Sequence, residues 1–573
     1  MIDQSDTNRI RQEIEDGNLI LAYDQLRARL ASNHADERTR YLYVLTLARM
    51  GLTERALEAY DTHQVSQIPS TEAQAIHPRL LKDRALAKTG TERSTALREA
   101  AEAYFRVYAQ SGSLFPAINA ASLFALAGEA DRAMLLARKI IAAKLPDHPG
   151  YYDLATLAEA QAILGQADAA RAALQEASLQ PGAGTGARAV TARQIDLILA
   201  HHGLDASARA ATLSPLSAGR AVWICSELER PNASGEITLR SEIQAVLMSS
   251  PVAAAFGSLN SVTDLIAAEV VLLADIPLFL FLPAPAEDVA ERLSDIAQTD
   301  LTDLVRRCLA GCTEQHVVND AFHGDTPLGN ALSRRLAWGK ALAYGARNLC
   351  QAHRLEIIAK GQENAQSAAH LAGSATTLHV EPAPPLSPPN PAPAAPTRRE
   401  VSMLFADFAG FSALPDRFLP QLVAHASGAL AEVLEEIGHT HLFSNTWGDA
   451  FFAVLPETGQ AVHVAQSLLA RIEADPIRDL IKGLRISLHH GLAMEIFDPV
   501  LGSSNYFGRE VSRAARIEPV TPPGCIYASE AFVLADASAG DPSARFEYVG
   551  QIALPKQFGT ERLYLVVEPP APV

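Results

Sequence analysis

Two aspartates carry the most pointed chemistry in this chain. Asp407 closes the apolar run Val401-Ser402-Met403-Leu404-Phe405-Ala406 and is followed by Phe408-Ala409-Gly410-Phe411-Ser412. An apolar strand running into an acid, then a glycine-containing turn and a helix, puts a carboxylate and backbone amides at one strand end. About 40 residues on, Asp449 sits at the tip of an expected hairpin in Phe443-Ser444-Asn445-Thr446-Trp447-Gly448-Asp449-Ala450-Phe451-Phe452. Two hard oxygen ligands on neighbouring strands can hold two Mg²⁺ or Mn²⁺ ions, which polarise a phosphoryl group and lower the pKa of an attacking hydroxyl. Taken singly, each aspartate reads more simply as a turn cap.

Two further segments shift that balance: Arg485-Ile486-Ser487-Leu488-His489-His490-Gly491, and Tyr506-Phe507-Gly508-Arg509-Glu510-Val511-Ser512-Arg513-Ala514-Ala515-Arg516-Ile517-Glu518. With the two aspartate segments they resemble, in order, the motif series of the class III adenylate/guanylate cyclase family. The resemblance implies a ferredoxin-like α+β domain working as a head-to-tail homodimer, with each active site built from both partners. It implies that Asp407 and Asp449 bind the two metals with help from the carbonyl of Phe408, and that the backbone near Phe411 and Ser412 cradles the β- and γ-phosphates. Arg516, acting from the other subunit, would neutralise charge developing on the α-phosphate. Lys556 falls near the family's phosphate-binding lysine, although the local match is poor. The ribose 3′-hydroxyl would attack the α-phosphate and expel pyrophosphate.

Three positions depart from the family pattern. Asn445 stands where adenylate cyclases carry a base-reading Lys and guanylate cyclases a Glu; Asn505 replaces its usual Asp or Thr partner; Ser512 replaces the transition-state Asn one turn before Arg516. An Asn pair still offers donors and acceptors to a purine edge. Loss of one transition-state donor costs about 10²–10³ in rate, so slow or conditional turnover is expected. Arg513 is a surplus cation on the same helix; facing the site it would compensate, but it reads more simply as solvated or salt-bridged. The leading expectation is a cyclase making cyclic AMP from ATP, in preference to GTP by analogy alone. The alternative is a pseudo-cyclase that binds nucleotide or dimerises on an interaction scaffold.

The elements that must position these residues occupy the rest of 573 residues, long enough for several domains. The expected organisation is a helical-repeat domain over 1–200, an α/β (Rossmann-like) regulatory domain over 201–374, a Pro-rich linker over 375–397 and the cyclase domain over 398–573. In the first, a Gly is followed five residues later by Ala at Gly17/Ala22, Gly51/Ala56, Gly128/Ala133 and Gly165/Ala170. The first two copies lie 34 residues apart and the last two 37. The segment resembles a degenerate tetratricopeptide repeat, and Tyr151–Ala170 also resembles a TRAFs-binding region; both imply a protein-binding scaffold.

In the second region, Ala221–Cys225 and Leu278–Leu282 read as buried strands, and Gly257-Ser258-Leu259-Asn260 could place amides at a helix N-terminus where a phosphate would sit. The linker EPAPPLSPPNPAPAAP reads as a semi-rigid spacer. A net charge of -17 argues against a general nucleic-acid or anionic-membrane binder. The polar N-terminus lacks an export signal, the greasiest run (Ile266–Pro283) is broken by Glu269, Asp275 and Pro277, and the five scattered cysteines read as reduced thiols. A cytoplasmic protein without a membrane span is expected.

Overall fold

The computed structural model describes residues 2–31, 36–181, 183–318, 326–362, 374–384, 398–411, 414–540 and 542–567. The backbone gathers into two compact units, the first running to Ala218 and including Arg347–Leu349, the second comprising Gly219–Ala346 and the chain from Cys350.

In the first unit each recurring Gly–Ala phrase forms the joint of a helix pair. Gly17 separates Ile2–Asp16 from Leu19–Ala31, and Gly51 separates Glu37–Arg49 from Thr53–Thr62. Gly128 and Gly165 do the same for Leu114–Leu126 with Ala130–Ala142 and for Tyr151–Ile163 with Ala167–Ser178. All four glycines have φ between +75° and +87°, the left-handed turn that a side chain disfavours. Ala22, Ala56, Ala133 and Ala170 are at most 1% exposed, so a larger side chain at any of them would push paired helices apart. Helical structure continues to Ala206–Leu213, beyond the boundary expected at 200.

The second unit opens with six parallel strands: β1 (Arg220–Ser226), β2 (Val252–Ser258), β3 (Leu278–Leu282), β4 (Glu314–Val317), β5 (Gln351–Ala359) and β6 (Ser374–Val380). Their order is β4-β3-β2-β1-β5-β6. Helices α1 (Ala233–Ser249), α2 (Val262–Leu273), α3 (Ala286–Ala297) and α4 (Thr302–Gly311) pack on Val222, Ile224 and Leu280 of one face. Helix α5 (Thr326–Asn348) covers the other, with Trp338 5.3 Å from Trp223 and Tyr344 5.4 Å from Phe256 between ring centres. Two covered faces explain why β3 is apolar at every position.

Two expectations change here. Residues 374–380 are a strand and not the start of the linker, because Leu378 and Val380 are buried against the sheet while proline crowding begins only downstream. The linker residues 385–397 lie outside the described residues. The segment 257–260 does not present free amides at α2. Val262 N donates to Glu229 O (3.0 Å), Asp264 N to Ser261 Oγ (3.0 Å) and Asn260 N to Asp264 Oδ2 (3.0 Å), so the donors a phosphate would need are already used.

A second sheet follows: β7 (Arg398–Phe408), β8 (Phe443–Trp447), β9 (Ala450–Leu455), β10 (Leu484–Asp498), β11 (Ser503–Phe507), β12 (Cys525–Ser529), β13 (Arg545–Ala553) and β14 (Thr560–Val567). The order is β13-β14-β12-β10-β7-β9-β8, with β11 paired to β10. Alternation along β7 sends Leu404, Ala406 and Phe408 to a core shared with α6 (Leu419–Glu436), α7 (Thr458–Ala474) and α9 (Glu530–Ala537). It sends Val401, Met403 and Phe405 to the opposite face, under α8 (Arg509–Ile517).

The two sheets do not rely on the linker to stay together. Helix α5 comes so close to α9 that a Cβ on Gly339 would lie 2.0 Å from Leu534 O. Arg335 pairs with Glu400 at 2.8 Å and Lys340 with Glu530 at 3.0 Å. Among the described residues no helix is long and apolar enough to cross a membrane.

Candidate active site

Strand β7 lies between β10 and β9, and its register sets Asp407 opposite Arg485 on one side and Ala450 on the other. Asp449 precedes Ala450 in the tight connection from β8 to β9, where Gly448 takes a φ of +66°. Asp407 and Asp449 therefore meet at adjoining strand ends. Arg485 Nη2 closes on the Asp407 carboxylate, and its Nε lies 2.8 Å from Glu518 Oε1, an ion-pair distance without hydrogen-bond alignment.

Two carboxylates thus pair with one guanidinium, and a third, Asp449, lies within range of its charge. Burial, and next the charge of Asp407, push the Asp449 carboxyl above its usual range. Burial pushes Glu518 up to about 7; Arg485 opposes this, while Asp407 and Asp449 add to it. Carboxylates gathered at adjoining strand ends and partly withdrawn from water fit the binding of hard divalent cations by Asp407 and Asp449.

Phe408 ends β7, paired with Leu484 and 2% exposed. Phe411 is half-buried against the core, and Ser412 lies outside the described residues. The turn between them is tied to the start of β10: Ala409 N donates to Gly483 O and Lys482 N to Ala409 O, both at 3.0 Å. Asn445 is on β8, its Oδ1 accepting from Thr446 N at 2.9 Å. Asn505 is committed within its own hairpin, donating to Asp498 Oδ2 (3.0 Å) and accepting from Tyr506 N (2.7 Å). Ser512 is exposed and donates to Gly508 O at 3.2 Å. Arg516 is half-buried one turn further along α8, and Lys556 is exposed in the turn between β13 and β14 with φ +59°.

The structure therefore brings Asp407 and Asp449 together. Among the described residues, no hydrogen bond of Asn445, Asn505 or Ser512 reaches either aspartate. Arg513 is not a second cation for this site: it is held by Glu510 (3.1 Å) and Glu561 (2.8 Å).

The motifs alone did not single out Arg485 and Glu518. One signal was available. A charge opening the apolar run Leu484-Arg485-Ile486-Ser487-Leu488 must face a counter-charge across the sheet.

A second polar cluster, Glu314, His316 and Glu530, brings three donor atoms within 4.8 Å of one another. Lys340 and Arg562 pair with both of its carboxylates, so the cluster is neutralised by the protein itself.

Residues 19–124 match the family described as Tetratricopeptide Repeats-Sensor. The chain is 26% identical over 174 residues to the pH-sensitive adenylate cyclase MT1302 of Mycobacterium tuberculosis (strain CDC 1551 / Oshkosh), a match that covers 30% of this chain and 41% of that protein. Among solved structures it is similar to the guanylate cyclase domain of RhGC from Catenaria anguillulae, in complex with GTP, at 18% identity over 30% of this chain and 98% of that one, with a TM-score of 0.27. It is also similar to the adenylyl cyclase CyaB from P. aeruginosa, at 18% identity over 31% of this chain and 97% of that one, with a TM-score of 0.26. The chain thus carries a region similar to class III nucleotidyl cyclases and, near its start, a helical region similar to tetratricopeptide sensors.

Proposed function

We propose that this chain is a nucleotidyl cyclase that converts ATP, in preference to GTP, to the 3′,5′-cyclic nucleotide and pyrophosphate. The observation that carries the reading is the meeting of Asp407, Asp449 and Glu518 around the single guanidinium of Arg485. Asp407 and Asp449, with the carbonyl of Phe408, would hold two Mg²⁺ or Mn²⁺ ions. Bound there, the ions would supply charge to the triphosphate and acidify the ribose hydroxyl.

In the reaction the 3′-oxygen forms a bond to the α-phosphorus, the bond from that phosphorus to the β-bridging oxygen breaks, and the hydroxyl proton passes to solvent. The residues of this chain orient and neutralise. The turn after Phe408 would receive the β- and γ-phosphates near Phe411 and Ser412, and Lys556 would add charge. Arg516 of a second copy would stabilise the α-phosphate as charge develops. Homodimerisation is therefore part of the proposal, and the helical and α/β regions would set activity by controlling how two copies are held.

A second reading, a pseudo-cyclase that binds nucleotide without turning it over, is favoured by one observation. The Asn505 amide is engaged within its own hairpin and the Ser512 hydroxyl at the start of its own helix. The discriminating experiment incubates the full chain with ATP or GTP and Mn²⁺, alongside Asp407→Ala and Asp449→Ala, and detects product by mass. Cyclic product abolished in both variants supports the cyclase and names its base. Triphosphate binding with no product from any form supports the second reading.

A further inference from the structure

Helix α8 has two faces. Glu510, Arg513, Ala514 and Ile517 recur at helical spacing and turn inward: Glu510 is 8% exposed, and Ala514 and Ile517 are fully buried. Ser512 and Arg516 are four residues apart on the opposite face, where Ser512 is exposed. The roll of α8 about its own axis therefore decides where Arg516 points.

Apolar burial of Ala514 and Ile517 seats the helix, and polar contacts hold its roll as well. His489 on β10, 2% exposed, lies with Nε2 2.7 Å from Glu510 Oε2 and Nδ1 2.7 Å from Ser529 Oγ. An ionised Glu510 carboxylate can only accept, so Nε2 donates to it. Ser529 Oγ, which accepts from Phe532 N at 3.2 Å, can give its hydroxyl proton to Nδ1. Glu510 Oε2 also accepts from Arg513 Nε at 3.1 Å, and Arg513 Nη1 donates to Glu561 Oε2 on β14 at 2.8 Å.

A chain of hydrogen bonds thus runs from the N-terminus of α9 through β10 to α8 and on to β14. Burial alone would raise the Glu510 carboxyl, but the His489 hydrogen bond and the Arg513 charge hold it below the ordinary range. On one side this chain borders a cavity of about 310 Å³, lined by His489, Glu510, Arg513 and Glu561, and not tightly packed side chains. On that side the Glu510 and Arg513 hydrogen bonds are therefore among the contacts that hold α8.

We propose that Glu510 is the positioning residue for Arg516, fixing the roll of α8 so that Ser512 and Arg516 face outward together. The proposal rests on the cyclase reading of Arg516. It is tested on the full chain with Glu510→Gln and Glu510→Asp, measuring kcat, KM, the oligomeric state and amide exchange over residues 509–517.

The expected result for Glu510→Gln is a kcat about tenfold or more lower, with KM and oligomeric state little changed and faster exchange across α8. Glu510→Asp should recover part of the rate. A kcat for Glu510→Gln within twofold of the parent overturns the proposal. If no form makes cyclic product, the cyclase reading fails on its own, and exchange decides: unchanged protection over 509–517 overturns the positioning role, and faster exchange sustains it. If Glu510→Gln does not fold, Arg513→Lys replaces it, and the same losses of rate and protection are required of that variant.

Discussion

Asp407 and Arg485 stand opposite one another on adjacent antiparallel strands, and the guanidinium that closes on Asp407 also reaches Glu518. Asp407 and Glu518 pair with Arg485, and Asp449 adds a third acid beside them. Mn²⁺ or Mg²⁺ should therefore stabilise the folded chain, by about 2.7 kcal/mol at a hundredfold excess over Kd. Asp407→Asn and Asp449→Asn should each abolish most of that gain. Thermal melts with and without metal check it; an equal metal response in parent and both variants would remove Asp407 and Asp449 from the metal site.

Ser512 is exposed, so its replacement costs the fold little. Ser512→Asn supplies the longer amide that the family carries at this place, and kcat should rise by about 10–100-fold if the missing donor limits turnover. A steady-state assay is sufficient, and no increase would show that the rate is limited elsewhere.

Gly339 tolerates no side chain, because a Cβ there would lie 2.0 Å from Leu534 O. Gly339→Val should force α5 away from α9 and cost about 1–3 kcal/mol or more. Chemical denaturation measures this directly. An unchanged midpoint would mean that the two sheets do not depend on this contact.

Asp264 on α2 is buried, and burial pushes its carboxyl up to about 6 despite the opposing charge of Arg334. A folded-state value above the unfolded one means that stability is fully present below about pH 4 and is lost as pH rises through about 6. Asp264→Asn keeps an acceptor for Asn260 N and removes the charge. The variant should be indistinguishable from the parent near pH 4 and more stable by about 2–3 kcal/mol at pH 8. Denaturation curves at the two pH values check the sign; a variant less stable at pH 8 would contradict it.

Much of this molecule was written in local sequence. The Gly–Ala phrases announced their helix joints, since a left-handed turn and a close helix approach each select a residue type directly. Apolar runs announced β1, β3 and β7, and a carboxylate at the end of one such run announced Asp407. Strand β6 was obscured by the proline-rich segment beside it, because composition averaged over a window hides a seven-residue strand.

What tertiary structure alone decided are the relationships that depend on register and helix roll. The β7–β10 pairing puts Arg485 on Asp407 across 78 residues of chain, and the inward face of α8 commits Arg513 to Glu510 and Glu561. The motifs named the residues that could do chemistry. Which charges neutralise one another depends on strand pairing, where a slip of one residue sends every side chain to the other face.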